Sequence, residues 1–120
     1  KKIVFSKELR KSDIYSVLLF ACGEDASLEQ KGVRIIFSNG KEIRHPDVPL
    51  HITMTHSNKT PFNYTTTFEL TADEIRYFTY YSIKEFRLAS HSCEVDKDES
   101  AALTGYFNCL LGRNADTGAR

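Results

Sequence analysis

Hydrophobic and polar positions alternate through most of the first half of this chain, and the spacing becomes helical only near Thr71. Period-two alternation marks strands with one covered face, and a recurrence of three to four marks an amphipathic helix. Residues 3–6 read as a short strand. Residues 13–22 are almost continuously apolar, which predicts a central strand covered on both faces. Residues 33–38 alternate and run into Asn39-Gly40, which suits a type I′ turn with positive φ at both central residues. Residues 41–44 are the return strand. The polar, acidic residues 23–32 read as a loop. Residues 45–49 read as a connection, because their prolines cannot donate to a sheet ladder.

Two strands with clean alternation follow. Leu50, Ile52 and Met54 face one way, with His51, Thr53 and Thr55 opposite. After a turn-like stretch at 56–61, Phe62, Tyr64, Thr66, Phe68 and Leu70 share a face, and Asn63, Thr65, Thr67 and Glu69 take the other. Paired as a hairpin, they make a sheet with one apolar face and one threonine ladder. Thr71 with Glu74 is a capping box that starts a short helix with Ile75 and Phe78 buried. A strand at 83–88, a turn and a return strand at 93–95 come next. Asp96 or Asp98 caps a last helix, in which Leu103, Phe107 and Leu110 recur at helical spacing. Gly105 inside it is expected where helix and sheet approach closely, and Gly112 suits a left-handed stop. The expected fold is one α+β domain over residues 1–112. Its antiparallel sheet is sandwich-like or a partly open barrel, with a short helix at about 71–80 and a C-terminal helix at about 98–111. Residues 113–120 read as a flexible tail.

Sixteen basic residues balance sixteen acidic ones among 120, so no basic face for nucleic acid is indicated. No run approaches the roughly 20 apolar residues of a membrane-spanning helix. The only methionine is Met54, so the chain is read as processed or trimmed, and an earlier export signal or lipid anchor stays open. Three cysteines allow at most one intrachain disulfide. Cys22, ending an apolar strand, and Cys109, on a helix, are expected as buried free thiols, with Cys93 the most accessible.

The segment F-E-L-T-A-D-E-I-R-Y-F, the strand S-I-K-E-F-R-L and the closing A-A-L-T-G-Y-F-N-C-L-L resemble uncharacterised small α+β domains from gut Bacteroides-type bacteria. The match covers about the last 45 residues before the tail and rests on caps and core positions. It implies export or envelope association and brings no catalytic residues. Tyr77, Tyr80 and Tyr81 depart from the usual form.

The candidate chemistry is weighed against plain structural roles. His45, Asp47, His51 and His56 lack the spacing of a metal site, being neither i, i+4 on a helix nor i, i+2 on a strand in a way that converges. His91 and Cys93 would share a strand face, yet a half-buried cysteine beside an exposed histidine explains the pair. Asp96, Asp98 and Glu99 belong at a helix N-terminus rather than in a calcium loop. The glycines form no phosphate-binding motif, and Asn58-Lys59-Thr60 and Asn63-Tyr64-Thr65 are sequons in form only. No catalytic, cofactor or metal residue is assigned and no cofactor is expected. The threonine ladder with His51, Asn63 and Glu69 is read as a solvated strand face. Tyr77, Tyr80 and Tyr81 are the candidate partner-binding residues, since three amphipathic rings exceed what one short helix end buries. The expected function is a non-enzymatic recognition or accessory domain for a protein or glycan, neither transmembrane nor nucleic-acid binding. The alternatives are an inhibitor or immunity-type protein acting through the acidic loop at 23–32, and a small hydrolase with a site hidden from sequence.

Overall fold

A computed structural model describes residues 2–9, 13–25, 29–55 and 59–112. Among the described residues, eight strands and two helices follow in chain order. They are β1 (Lys2–Glu8), β2 (Ile14–Gly23), β3 (Lys31–Phe37), β4 (Glu42–Pro49), β5 (His51–Met54), β6 (Phe62–Glu69), α1 (Ala72–Tyr80), β7 (Ile83–Leu88), β8 (His91–Glu94) and α2 (Lys97–Leu110). The strands form two four-stranded sheets, β1-β2-β6-β5 and β4-β3-β7-β8, and every pairing is antiparallel. The architecture is an open α+β sandwich, the first of the two arrangements expected, and the sheets do not close into a barrel. The tail at 113–120 lies outside the described residues, as do His56 and Asn58.

Register places the apolar positions of both sheets toward each other. Across the first sheet, Phe5, Val17 and Phe68 are neighbours, as are Ala21, Tyr64 and Ile52. Across the second, Ile43, Ile35, Phe86 and Cys93 form one row, and His45, Val33, Leu88 and His91 the next. Most of these side chains lie in one buried cluster, and each large one fully buried contributes about 1.5–3 kcal/mol. Tyr64 is buried because its hydroxyl has partners: it donates to Asp25 O at 2.7 Å and accepts from Asp25 N at 2.9 Å. Gly23 leaves room for that ring, since a Cβ there would stand 2.5 Å from Tyr64 Cε2.

Both helices plug one flank of the sandwich. Thr71 and Glu74 form a reciprocal capping box on α1, and Asp96 and Glu99 form another on α2. Phe107 of α2 meets Phe5 at 4.6 Å and Phe78 of α1 at 5.8 Å between ring centroids. Asn108 Nδ2 donates to Thr79 O at 3.3 Å and ties the helices together. Leu103 and Leu110 pack beside Phe107 against the core. Gly112, at φ 83°, supplies the left-handed position after α2 as expected.

Five local readings are corrected. Asn39-Gly40 is not a type I′ turn: Gly40 has φ 90° while Asn39 does not reach positive φ. The loop is three residues long, with Gly40 N donating to Phe37 O at 3.0 Å and Phe37 N to Lys41 O at 2.9 Å, and glycine supplies the left-handed position. The 45–49 stretch is not a connection but the second half of β4. This is an edge strand, where a proline's missing donor faces no partner. Gly105 is exposed and no atom lies within 4 Å of a Cβ built there, so it marks no close approach. Strand β2 is central but covered on one face only: its alternate residues Leu18, Phe20 and Cys22 are half-buried. The cysteine ranking is reversed. Cys93 faces inward and is 8 % exposed, Cys22 is half-buried and Cys109 is exposed on α2.

Candidate binding surfaces

The candidate tyrosines divide between core and solvent. Tyr77 and Tyr81 are half-buried, and both rings pack edge-on against Phe37, with centroids at 5.7 and 6.1 Å. They also lie 5.4 Å from each other. They therefore close the core at the end of α1. Tyr80, on the opposite side of the helix turn, is 66 % exposed and is the one ring of the three presented outward.

The outer face of the first sheet forms a broader surface that the sequence reading did not single out. Val4, Leu18 and Thr67 lie side by side on β1, β2 and β6. The next row is Lys2, Phe20, Thr65 and His51, and beyond it Cys22, Asn63 and Thr53. Val4 is 40 % exposed, and Leu18 and Phe20 are only half-buried although they sit in the middle of the sheet. The threonine ladder thus flanks an apolar centre, with Lys2 beside Phe20 on the edge strand and Glu8 and Glu69 farther along the sheet. Cys22 Sγ lies 3.3 Å from Asn63 Oδ1 and donates to it. The missed signal was phase. Val17, Leu19 and Ala21 face inward, so their apolar neighbours had to face outward, but a continuous apolar run conceals which set is which.

The outer face of the second sheet is charged. Arg44, Arg34, Arg87 and Ser92 form one row across it, and Glu42, Ile36, Glu85 and Glu94 the next. Glu42 Oε1 accepts from Arg34 Nη2 at 2.8 Å and from Arg44 Nε at 2.9 Å. These bonds, Arg34's first, hold the Glu42 carboxyl below the usual carboxylate range. Glu85 Oε2 accepts from Ser92 Oγ at 2.6 Å and Arg87 Nε at 2.8 Å, and is lowered in the same way, with the serine the larger cause.

The histidines and cysteines do not assemble into a site. His45 packs on Phe68 and contacts Glu74, His91 lies edge-on to Tyr64 at 5.0 Å, and His51 is exposed on β5. Cys93 and His91 do share the inward face of β8, where both serve packing. Among the described residues, no three His, Cys, Asp or Glu side chains are grouped so as to hold a metal ion. Also among them, no helix is long and apolar enough to cross a membrane. Compared with protein-family models, curated proteins and solved structures, the chain matches none.

Proposed function

We propose that this domain is a non-enzymatic recognition module that binds a macromolecular partner, protein or glycan, across the outer face of its first sheet. The observation that carries the reading is the apolar centre of Val4, Leu18 and Phe20 on an open face, with uncharged polar neighbours on β6 and Lys2 beside Phe20 on the edge strand. Large apolar side chains left half-exposed at the middle of a sheet, and rimmed by polar residues, mark places where partners dock. Threonine and asparagine around them supply hydrogen bonds without the desolvation penalty of charge. Phe20 is the expected anchor, because aromatic rings carry much of the energy of such interfaces. Tyr80 is exposed and is the member of the Tyr77, Tyr80 and Tyr81 group able to take part.

The test compares the wild-type domain with Phe20→Ala and Leu18→Ala in binding to envelope proteins and polysaccharides from the native source. Each variant should keep its circular dichroism spectrum and weaken the principal interaction by about 2 kcal/mol. Binding lost on Tyr80→Ala but unchanged in both sheet variants would move the site to the helix end. Turnover abolished by replacing His91 or Cys93 would overturn the non-enzymatic reading.

A further inference from the structure

We infer that the cleft on the outer face of the second sheet binds the carboxylate of a small organic acid. Arg44, Arg34 and Arg87 stand at facing positions on β4, β3 and β7. Like charges directly opposite each other destabilise a strand pair. The chain's net charge is zero, so the row does not follow from a basic composition. In the ion pairs of this face, two carboxylates answer three guanidiniums, Glu42 serving both Arg34 and Arg44, and Glu85 serving Arg87. Those bonds engage Nε and Nη2 of Arg34 and only Nε of Arg44. Each guanidinium has five N–H donors, so several stay outside these bonds.

A cleft of about 580 Å³ opens beside this row, and Lys31, Arg34, Arg44, Pro46 and Ala89 are among its lining residues. That volume is in the range of small-ligand sites. Gly32 lines the cleft at φ 108°, a left-handed conformation that favours glycine. Ala89 holds one wall at φ 55°, a left-handed conformation rare for a residue with a Cβ, and its N–H donates to Gly32 O at 2.9 Å. Among the described residues, three cations, Lys31, Arg34 and Arg44, and one carboxylate, Glu29, line the cleft, while Lys31 also pairs with Asp47 at 3.9 Å and both arginines with Glu42. The planar fork of a guanidinium matches a carboxylate. Pro46 and Ala89 offer apolar contact to the carbon body behind it, which an inorganic anion would not use. A sugar acid and the C-terminus of a short peptide both carry this group. The site lies on the sheet opposite to the recognition face proposed above and stands independently of it.

The experiment is an amide NMR titration of the full chain with glucuronate and, separately, with N-acetyl-alanyl-alanine. Each is paired with a neutral analogue, glucose and the dipeptide amide. At least one acid should give saturable shifts at Gly32, Ala89 and Ser90, which also lines the cleft, that its neutral analogue lacks, and the acid that saturates at lower concentration identifies the source. Arg34→Gln and Arg44→Gln should each weaken it at least about tenfold, while Lys41→Gln, which removes a positive charge elsewhere, should leave it unchanged. No saturable shift with either acid, equal shifts with the neutral analogues, or equal weakening by Lys41→Gln would overturn the assignment. The comparison of acid with neutral analogue needs no variant and so does not depend on any variant folding.

Discussion

His45 Nε2 stands 2.5 Å from Glu74 Oε2 and joins the second sheet to the first turn of α1. The same glutamate caps that helix, accepting Thr71 N at 2.8 Å through Oε1. The imidazole also rests on Phe68 of the first sheet at 4.4 Å. One histidine therefore touches three layers of the fold. Its Nε2–H donates to a carboxylate that is only 12 % exposed, and a hydrogen bond to a charged group is worth about 1.5–3 kcal/mol. His45→Ala should destabilise the domain by about 2 kcal/mol in urea unfolding, with the far-ultraviolet spectrum retained. An unchanged midpoint would show that the contact does not couple helix to sheet.

Phe107 is fully buried and its ring meets Phe5, Tyr15 and Phe78. Phe107→Ala should cost about 3–5 kcal/mol, a large part of the total stability of a domain this size. Thermal unfolding checks this, and a variant melting at the wild-type temperature would refute the docking of α2.

Gly105 offers the reverse case. It lies exposed within α2 with open space where a Cβ would go. Gly105→Ala should stabilise by about 0.5–1 kcal/mol through helix propensity, read as a rise in Tm. A fall in Tm would mean that the glycine has a contact the fold does not show.

Acid should weaken the second sheet. The carboxyls of Glu42 and Glu85 are held below their ordinary value of 4.5 by hydrogen bonds from Arg34 and Arg44, and from Ser92 and Arg87. The unfolded chain therefore takes up these protons first as pH falls. The stabilisation is fully present above about pH 4.5 and is lost as pH drops through the lower folded-state values. Unfolding midpoints measured from pH 7 to pH 3 should decline more gently in the Glu42→Gln and Glu85→Gln variants than in the wild type. Parallel declines would contradict the assignment of acid sensitivity to this face.

Much of the fold was readable because its signals are local. Capping depends on residues three apart, so Thr71 with Glu74 announces the start of α1, while for α2 the choice between Asp96 and Asp98 is settled by the Asp96–Glu99 box. Alternation in residues 62–70 fixed which side chains of β6 face inward, including Thr66, whose Oγ1 donates to Pro49 O at 2.7 Å. What stayed hidden depends on neighbours distant in sequence. An edge position excuses the prolines of β4, but edges are decided by pairing. Whether Cys93 or Cys109 meets solvent depends on which face of β8 turns to the core and which face of α2 is covered. The open face of β2 was hidden for the same reason, and with it the apolar centre of the candidate site. The tyrosines were found by composition, yet composition does not tell Tyr80 from the two rings that lean on Phe37.

A partner docked as proposed on the outer face of the first sheet would lie against Phe20. The most direct measurement places a photoreactive phenylalanine analogue at position 20, and in a separate protein at position 94 on the outer face of the second sheet. Both are illuminated with components of the native source. The account predicts a specific crosslinked partner from position 20 that an excess of unlabelled domain competes away, and none from position 94. Crosslinking from position 94 alone, or partner binding that leaves position 20 uncrosslinked, would contradict it.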